Sequence, residues 1–545
     1  MRVHNAIAEI LKREGVELLF GYPINPLFDA AAGAGIRTIV VRQERTGIHM
    51  ADAFSRLSSG KKIGVFTMQS GPGSENAFGG VAQAYSESVP IVVIPAGYAR
   101  ELSSVSPNFS SYLNYQQVTK SCEQLTLPEA VADAIRRAFT QARNGRPGPA
   151  LVEVPGDVFR AEIPEPLIYE PTYRARAAPD PAAVDAAARV LVGASRPLLY
   201  AGQGVHYAEA WPELRELAEL LDIPVTTSLE GKSAFPENHP LSLGSGGRSM
   251  PGAVHQHLQD ADVILGVGVS FGRTNYGIQF PAGKTYIHAT NDPADLNKNV
   301  ASAHALIGDA KLTLQALVAA VRDRSGSRQS GRREAVVARI SSQKEAWLAG
   351  WLPKLTSDET PLSPYRVIWD LLHTIDVANA VVTHDAGSPR DQTSPFWEAA
   401  TPLSYIGWGK TTQLGYGLGL AMGAKLAEPQ KLCLNIWGDA AIGMTGMDFE
   451  TAVRERIPIL SILLNNFSMA IEIAAMKVST EKYRATDISG NYADFARALG
   501  GYGERVTDPS EIVPAIKRGV QQTRDGKPAL LEFITQQETQ ISSYH

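Results

Sequence analysis

The sequence predicts an α/β protein built of three open, parallel-sheet domains, and three observations predict it. The 545 residues exceed what one hydrophobic core supports and suit three or four domains at about 150 residues each. Short β-branched or apolar runs alternate with helical patterns, as βαβ units on a parallel sheet require. Two aperiodic stretches divide those runs into three groups.

The first group is Ile36–Arg42, Lys61–Met68, Pro90–Gly97 and Pro149–Pro155, with a helical pattern through Ala51 and Phe54 and another after a glycine turn. Ile163–Ala183 is proline-rich, an expected linker, so a first domain covers residues 1–165. Arg196–Val205, Asp222–Leu229, Asp260–Phe271 and Lys284–Thr290 form a second α/β group over 185–322, closed by Ala305–Val321. Asp323–Glu334 is polar and charged, a second expected linker leading toward a helix. Ala378–Gly387, Lys431–Ala440, Pro458–Asn466 and Pro528–Ile534 supply the strands of a third domain over 360–545.

Composition narrows the function. Hydrophobic residues are 44%, charged residues 20% and net charge −5, the balance of a globular chain with no basic excess for nucleic acid. Cys122 and Cys433 have no spacing for a disulfide framework or structural metal, which fits a cytoplasmic protein. The N-terminus is an amphipathic helix rather than a secretory leader. The apolar stretch Leu414–Ala424 is glycine-rich and falls short of the ~20 residues of a membrane span, so no membrane partner is expected.

The chemistry concentrates in Gly438–Asn466. Asp439 follows one strand, a helix intervenes, and Asn465 and Asn466 end the next strand, so both polar ends reach the same sheet edge, where open α/β folds bind ligands. One carboxylate and one carboxamide suit Mg²⁺, which completes its shell with phosphate oxygens and water. Small residues at Gly438, Ala440 and Ala441 let backbone N–H groups approach a diphosphate at a helix start.

This GD…NN run resembles that of the thiamine diphosphate enzymes of the acetohydroxyacid synthase, pyruvate decarboxylase and 2-hydroxyacyl-CoA lyase superfamily, and the resemblance covers essentially the whole chain. It implies Mg²⁺ held by the side chains of Asp439 and Asn466 and the carbonyl of Ser468. It places Glu44, in VVRQERTGIHMADAFSR, against N1′ of the cofactor's aminopyrimidine, where a buried carboxyl exchanges the proton that activates C2. QSGPGSENAFGGVAQAY resembles the family's SGPG loop, with Asn76 facing the pyrimidine. In WGKTTQLGYGLGLAMGA, Leu414 corresponds to the wedge that bends the cofactor, and the Thr412 carbonyl to the acceptor for its 4′-amino group. Gly387 and Ser388 stand where relatives contact the diphosphate.

Glu472, in NNFSMAIEI, matches a proton-handling glutamate of pyruvate decarboxylases. The synthases compared have none there, while the paired histidines of the decarboxylases are missing from SPNFSSYLNYQQVTK. The combination resembles bacterial 2-hydroxyacyl-CoA lyases, particularly those acting on 2-hydroxyisobutyryl-CoA. These release a ketone or aldehyde and formyl-CoA. Glu472, in a partly desolvated cleft that raises its pKa, is then the base at the 2-hydroxyl, and Asn25, Phe109 and Ser110 line the cleft. Two alternatives stand beside this reading: an acetolactate synthase-like carboligase using pyruvate, which shares every cofactor residue, and a non-catalytic paralogue. The resemblance leaves the central domain with ADP, FAD or nothing, Gly202, Gly204 and Arg273 standing where a nucleotide would lie. It casts the tail QQETQISSYH as a lid. Because the Glu44 and Asp439 halves meet across subunits in the family, it implies a homodimer or homotetramer.

Overall fold

A computed structural model describes residues 1–22, 25–324 and 332–544. It contains three six-stranded sheets, every strand pair parallel. The first is built from β1 (Leu18–Gly21), β2 (Arg37–Val40), β3 (Gly64–Met68), β4 (Ile91–Gly97), β5 (Ser121–Gln124) and β6 (Ala150–Pro155), in the order β2-β1-β3-β4-β6-β5. The second comprises β7 (Pro197–Ala201), β8 (Val225–Ser228), β9 (Ser242–Gly246), β10 (Val263–Val267), β11 (Thr285–Thr290) and β12 (Ser302–Ile307), ordered β12-β11-β10-β7-β8-β9, the doubly wound dinucleotide-binding order. The third holds β13 (Ala380–His384), β14 (Tyr405–Ile406), β15 (Leu432–Gly438), β16 (Leu460–Asn465), β17 (Tyr502–Val506) and β18 (Ala529–Ile534), in the order β14-β13-β15-β16-β18-β17. Strand for strand, that repeats the order of the first sheet.

Helices cover both faces of each sheet, which is why inner strands such as β3, β6, β10 and β16 are buried along their whole length and read as unbroken apolar runs. One core is shared between domains: Phe20, Ile48 and Met50 of the first pack with Tyr416, Leu420 and Trp437 of the third. Its centre is a crossing of the helices Glu44–Leu57 and Tyr416–Ala427. A Cβ on Gly419 would lie 2.8 Å from the Thr46 carbonyl oxygen, and one on Gly423 2.3 Å from that of Met50, so only glycine permits this approach. A buried polar seam fixes the crossing's register: Arg56 donates to Asp52 (2.6 Å) and to the Gly407 carbonyl (3.0 Å), and the Tyr416 hydroxyl donates to Asp52.

The first expected linker is irregular until helix Pro181–Gly193 begins. Of the second, residues 325–331 lie outside the described residues, and Arg332–Glu334 already belong to helix Arg332–Leu355. The tail is a fixed strap rather than a free lid. Gln536 N–H donates to the Leu362 carbonyl (2.9 Å), the Tyr365 hydroxyl to that of Gln540 (2.6 Å), and Met250 N–H of the central domain to that of Ser542 (2.9 Å). Among the described residues no helix is long and apolar enough to cross a membrane.

Candidate active site

The carboxyl ends of β13, β15 and β16 open on a cleft of about 680 Å³, counted to its open mouth. The chain brings Gly387, Ser388, Leu414, Gly438, Asp439, Ala440, Ala441, Asn466, Ser468 and Glu472 together around it. Asp439 begins the helix Asp439–Thr445 and is 4% exposed. Its carboxylate accepts from the N–H of Ala440 (2.9 Å) and of Ser468 (3.1 Å), and the Asn466 side-chain oxygen accepts from the same Ser468 N–H (2.9 Å). One shared donor therefore sets the two oxygens side by side. Phe467, which separates Asn466 from Ser468 in the chain, takes φ +58°, uncommon for a large side chain and of the kind that clusters at functional sites.

No ion pair to Asp439 is present among the described residues, and burial pushes its carboxyl up to about 6 despite the N–H donors. A buried carboxylate without a cation, beside a carboxamide oxygen, is a donor set that a hard divalent ion fits. Asn465, the other asparagine of the pair, is structural: its amide donates to Glu532 (2.7 Å) and its oxygen accepts from Phe467 N–H (3.0 Å).

Several expected residues stand elsewhere. Glu44 is the first residue of its helix, 4% exposed, with its carboxyl raised by burial and the Asn76 side chain as a hydrogen-bond partner. Every residue lining the Asp439 cleft belongs to the third domain, so Glu44 and Asn76 do not reach it within the chain. Asn25 is a helix cap, its oxygen accepting from Leu27 N–H (2.9 Å) and its amide donating to Thr67 Oγ1 (2.8 Å), and like Glu44 it stands outside the cleft of its own chain. Ser110 caps helix Ser111–Asn114, and Phe109 packs on the shared core; neither lines the cleft of its own chain. Glu472 lines the cleft but is exposed in the single chain, not desolvated as expected. Of the tail, Thr535 and Gln536 form part of the cleft wall before the strap leaves for the central domain.

Sequence reasoning missed what holds the segment carrying Thr412 and Leu414. Gln83 Oε1 accepts from the Thr411 hydroxyl (2.8 Å), and Gln413 donates to the Gly79 carbonyl (2.6 Å). Glu87 Oε1 accepts from the N–H of Gly409 (3.1 Å) and Lys410 (2.8 Å). Fully buried, with Glu230 nearby and the charges of Lys410 and Arg56 and the Lys410 N–H opposing, Glu87 is pushed up to about 7 by desolvation first and by Glu230 second. A raised folded-state pKa means that the stability this group contributes is complete below the ordinary carboxyl value and is lost as pH rises through 7. Glu87→Gln keeps an acceptor for both N–H groups and removes the titration. Thermal melts should therefore show the variant a few °C above the parent at pH 8, with the gap closing toward pH 4.5 (one pKa unit is about 1.4 kcal/mol). A variant that melts lower at pH 8 would refute this account of the carboxyl.

The central sheet opens on a separate cavity of about 1090 Å³ at the junction of all three domains, lined by Gly202, Gly204, Tyr276, Arg146, Arg174 and Lys410 among others. A Cβ on Gly202 or Gly204 would lie within 2.6 Å of Gly268 backbone atoms, so close packing alone accounts for both glycines. Arg273 is exposed and does not line this cavity, contrary to expectation.

Two like sheets flanking a dinucleotide-type sheet, with a carboxylate–carboxamide pair at the edge of the third, define the class of the protein. The described families "Thiamine pyrophosphate enzyme, N-terminal TPP binding domain", "central domain" and "C-terminal TPP binding domain" match residues 1–125, 184–317 and 385–533. The chain belongs to the thiamine pyrophosphate enzyme family. Within it, the chain is similar to the acetolactate synthase large subunit of Parasynechococcus marenigrum, 32% identical over 92% of this chain and 83% of the relative. It is also similar to the probable acetolactate synthase large subunit of Methanocaldococcus jannaschii (29% identical; 98% and 92% covered) and to acetolactate synthase isozyme 3 large subunit of Escherichia coli K12 (27%; 94% and 91%). These relatives are acetolactate synthases and not the 2-hydroxyacyl-CoA lyases that the residues around Glu472 suggested.

Proposed function

We propose that the protein is a thiamine diphosphate- and Mg²⁺-dependent carboligase of acetolactate synthase type acting on a 2-oxo acid such as pyruvate. The observation that carries this reading is near full-length similarity to acetolactate synthase large subunits, joined to the cleft around Asp439. Bound cofactor supplies a carbon nucleophile and an electron sink for the carbon–carbon bond that changes. The chain's own residues do the rest. Asp439 and Asn466, with the Ser468 carbonyl, hold Mg²⁺; Gly387, Ser388 and the backbone from Gly438 to Ala441 take the diphosphate; Leu414 props the rings, and the Thr412 carbonyl accepts from the 4′-amino group. Glu44 exchanges a proton with the aminopyrimidine. Since one chain leaves Glu44 outside the Asp439 cleft, the working unit is at least a homodimer, in which Glu44 of one copy completes the cleft of the other. The central cavity stands where ADP or FAD would lie in this family, although its glycines need neither.

One observation favours a second reading: Glu472, which the resemblance in sequence sets where synthases have no glutamate, lines the cleft. In a lyase that cleaves a 2-hydroxyacyl-CoA to formyl-CoA and a ketone or aldehyde, this carboxylate takes the hydroxyl proton. Purified protein given cofactor and Mg²⁺ is offered pyruvate in one tube and 2-hydroxyisobutyryl-CoA in another, with products identified by mass spectrometry. Acetolactate and CO₂ are expected; formyl-CoA with acetone instead would replace the carboligase with the lyase. On the productive substrate, Glu472→Gln should slow turnover ~10²-fold with cofactor affinity unchanged. An unaltered rate would leave Glu472 without a chemical role.

A further inference from the structure

We infer that Asp385 is a positioning residue for the cofactor: its carboxylate clamps the turn that carries Leu414 to the loop that carries Gly387 and Ser388, so that ring wedge and diphosphate cradle form one rigid piece. The inference rests on the cofactor reading above.

Asp385 follows β13 directly, and its own N–H is fixed to the Ile436 carbonyl of β15 at 2.7 Å. The side chain is 0% exposed. One oxygen accepts from the N–H of Ala386 (2.8 Å) and of Gly415 (2.9 Å), and the other from the N–H of Gly417 (3.0 Å). Ala386 opens the loop to Gly387 and Ser388, whereas Gly415 and Gly417 bracket the start of helix Tyr416–Ala427, whose own N-cap residue offers no side-chain acceptor. A carboxylate 30 residues away in sequence thus satisfies donors that a helix start leaves open and that an anion stabilises best. Leu414 is the residue immediately before Gly415, so the clamp fixes the wedge against the cradle. Among the described residues no other hydrogen bond joins these two loops.

The charge balance also points to positioning rather than proton transfer. All three donors are backbone N–H groups, and Asp385 does not line the cleft. Arg45 of the first domain is the cation whose field favours its ionised form. Burial opposes that form, yet three N–H donors have no use for a protonated oxygen.

In D385N one acceptor becomes an amide donor facing an N–H, which breaks the clamp on one side with almost no change in volume. The full-length protein, D385N, Leu414→Ala and the double variant are titrated with thiamine diphosphate and Mg²⁺ by quenching of intrinsic fluorescence. Exchange of the C2 proton of bound cofactor with D₂O is followed by NMR. The expected result is a native circular dichroism spectrum for D385N with cofactor Kd raised ~10-fold or more and C2 exchange slowed in both single variants. The double variant should be no worse than the poorer single by more than about threefold, because residues acting through one another are not additive. A Kd and exchange rate within about threefold of the parent, or losses that multiply in the double variant, would overturn the inference. Failure of the parent itself to bind cofactor would instead remove the cofactor reading, and this inference with it. If D385N does not fold, Thr445→Val, which frees the same turn by losing the bond from the Thr445 hydroxyl to the Gly415 carbonyl (2.8 Å), carries the test with the same two outcomes.

Discussion

Glu44→Gln is expected to slow exchange of the C2 proton of bound thiamine diphosphate by ~10³-fold, within the range general acid–base catalysis supplies. Glutamine matches the shape of the parent side chain and keeps an acceptor for Asn76, so the first domain should fold as before. What it lacks is a titrating proton. In the parent, burial holds the carboxyl of Glu44 above its ordinary value. Exchange at the parental rate would strip Glu44 of its role. The same variant tests the assembly. Glu44 lies outside the Asp439 cleft of its own chain, so mixing Glu44→Gln with a chain defective at Asp439 should restore activity, through heterodimers that contain one site with both residues intact. No recovery after mixing under conditions that exchange subunits would mean that each chain builds its own site.

Asp439→Asn should raise the apparent Kd for Mg²⁺ and cofactor at least ~10²-fold, since it removes the one charged donor of the set. Stability should move the other way. The raised carboxyl of Asp439 contributes stability only while protonated, and that contribution is lost as pH rises through about 6. At pH 8 without metal, the ionised group costs about 3 kcal/mol, whereas losing the Ser468 hydrogen bond costs about 1 kcal/mol. The metal-free variant should therefore melt no lower than the metal-free parent at pH 8, and only the parent should gain Tm when Mg²⁺ and cofactor are added. A variant that still gains Tm on that addition would place the metal elsewhere.

The sheets were legible where strands are buried on both faces. β3, β4, β10, β15 and β16 stand out as apolar runs because nothing on either side of them is wet. The strands that escaped are short or at edges: β5, β12 and β17 are edge strands partly open to solvent, where residues such as Ser, Glu and His are tolerated, while the edge strands β9 and β14 are buried but carry Ser and Gly or are only two residues long. β1 lies inside the first sheet but has only four residues. The pairing of Asp439 with Asn466 was legible because a strand, a helix and a strand fix where the two residues emerge. The anchors of the wedge segment were not, because Gln83, Glu87 and Asp385 meet residues 409–417 only after three distant segments have packed, and a buried acceptor paired with a distant backbone N–H leaves no local pattern. The cap at Asn25 was hidden for a related reason: a polar residue before a helix reads alike whether it caps that helix or faces a ligand.

The repeated strand order of the first and third sheets has a consequence in terms of descent. In each sheet the second strand leads into the helix at the shared crossing, Glu44–Leu57 after β2 and Tyr416–Ala427 after β14, so the chain's largest interdomain contact sets like against like. Like-against-like contact is what two-fold association of identical copies produces. A single six-stranded unit that once paired with itself, and was later joined end to end through an inserted dinucleotide-type sheet, would leave this arrangement. On the function proposed above, such a fusion would have left one copy free to specialise in the metal and diphosphate, and the other in the proton.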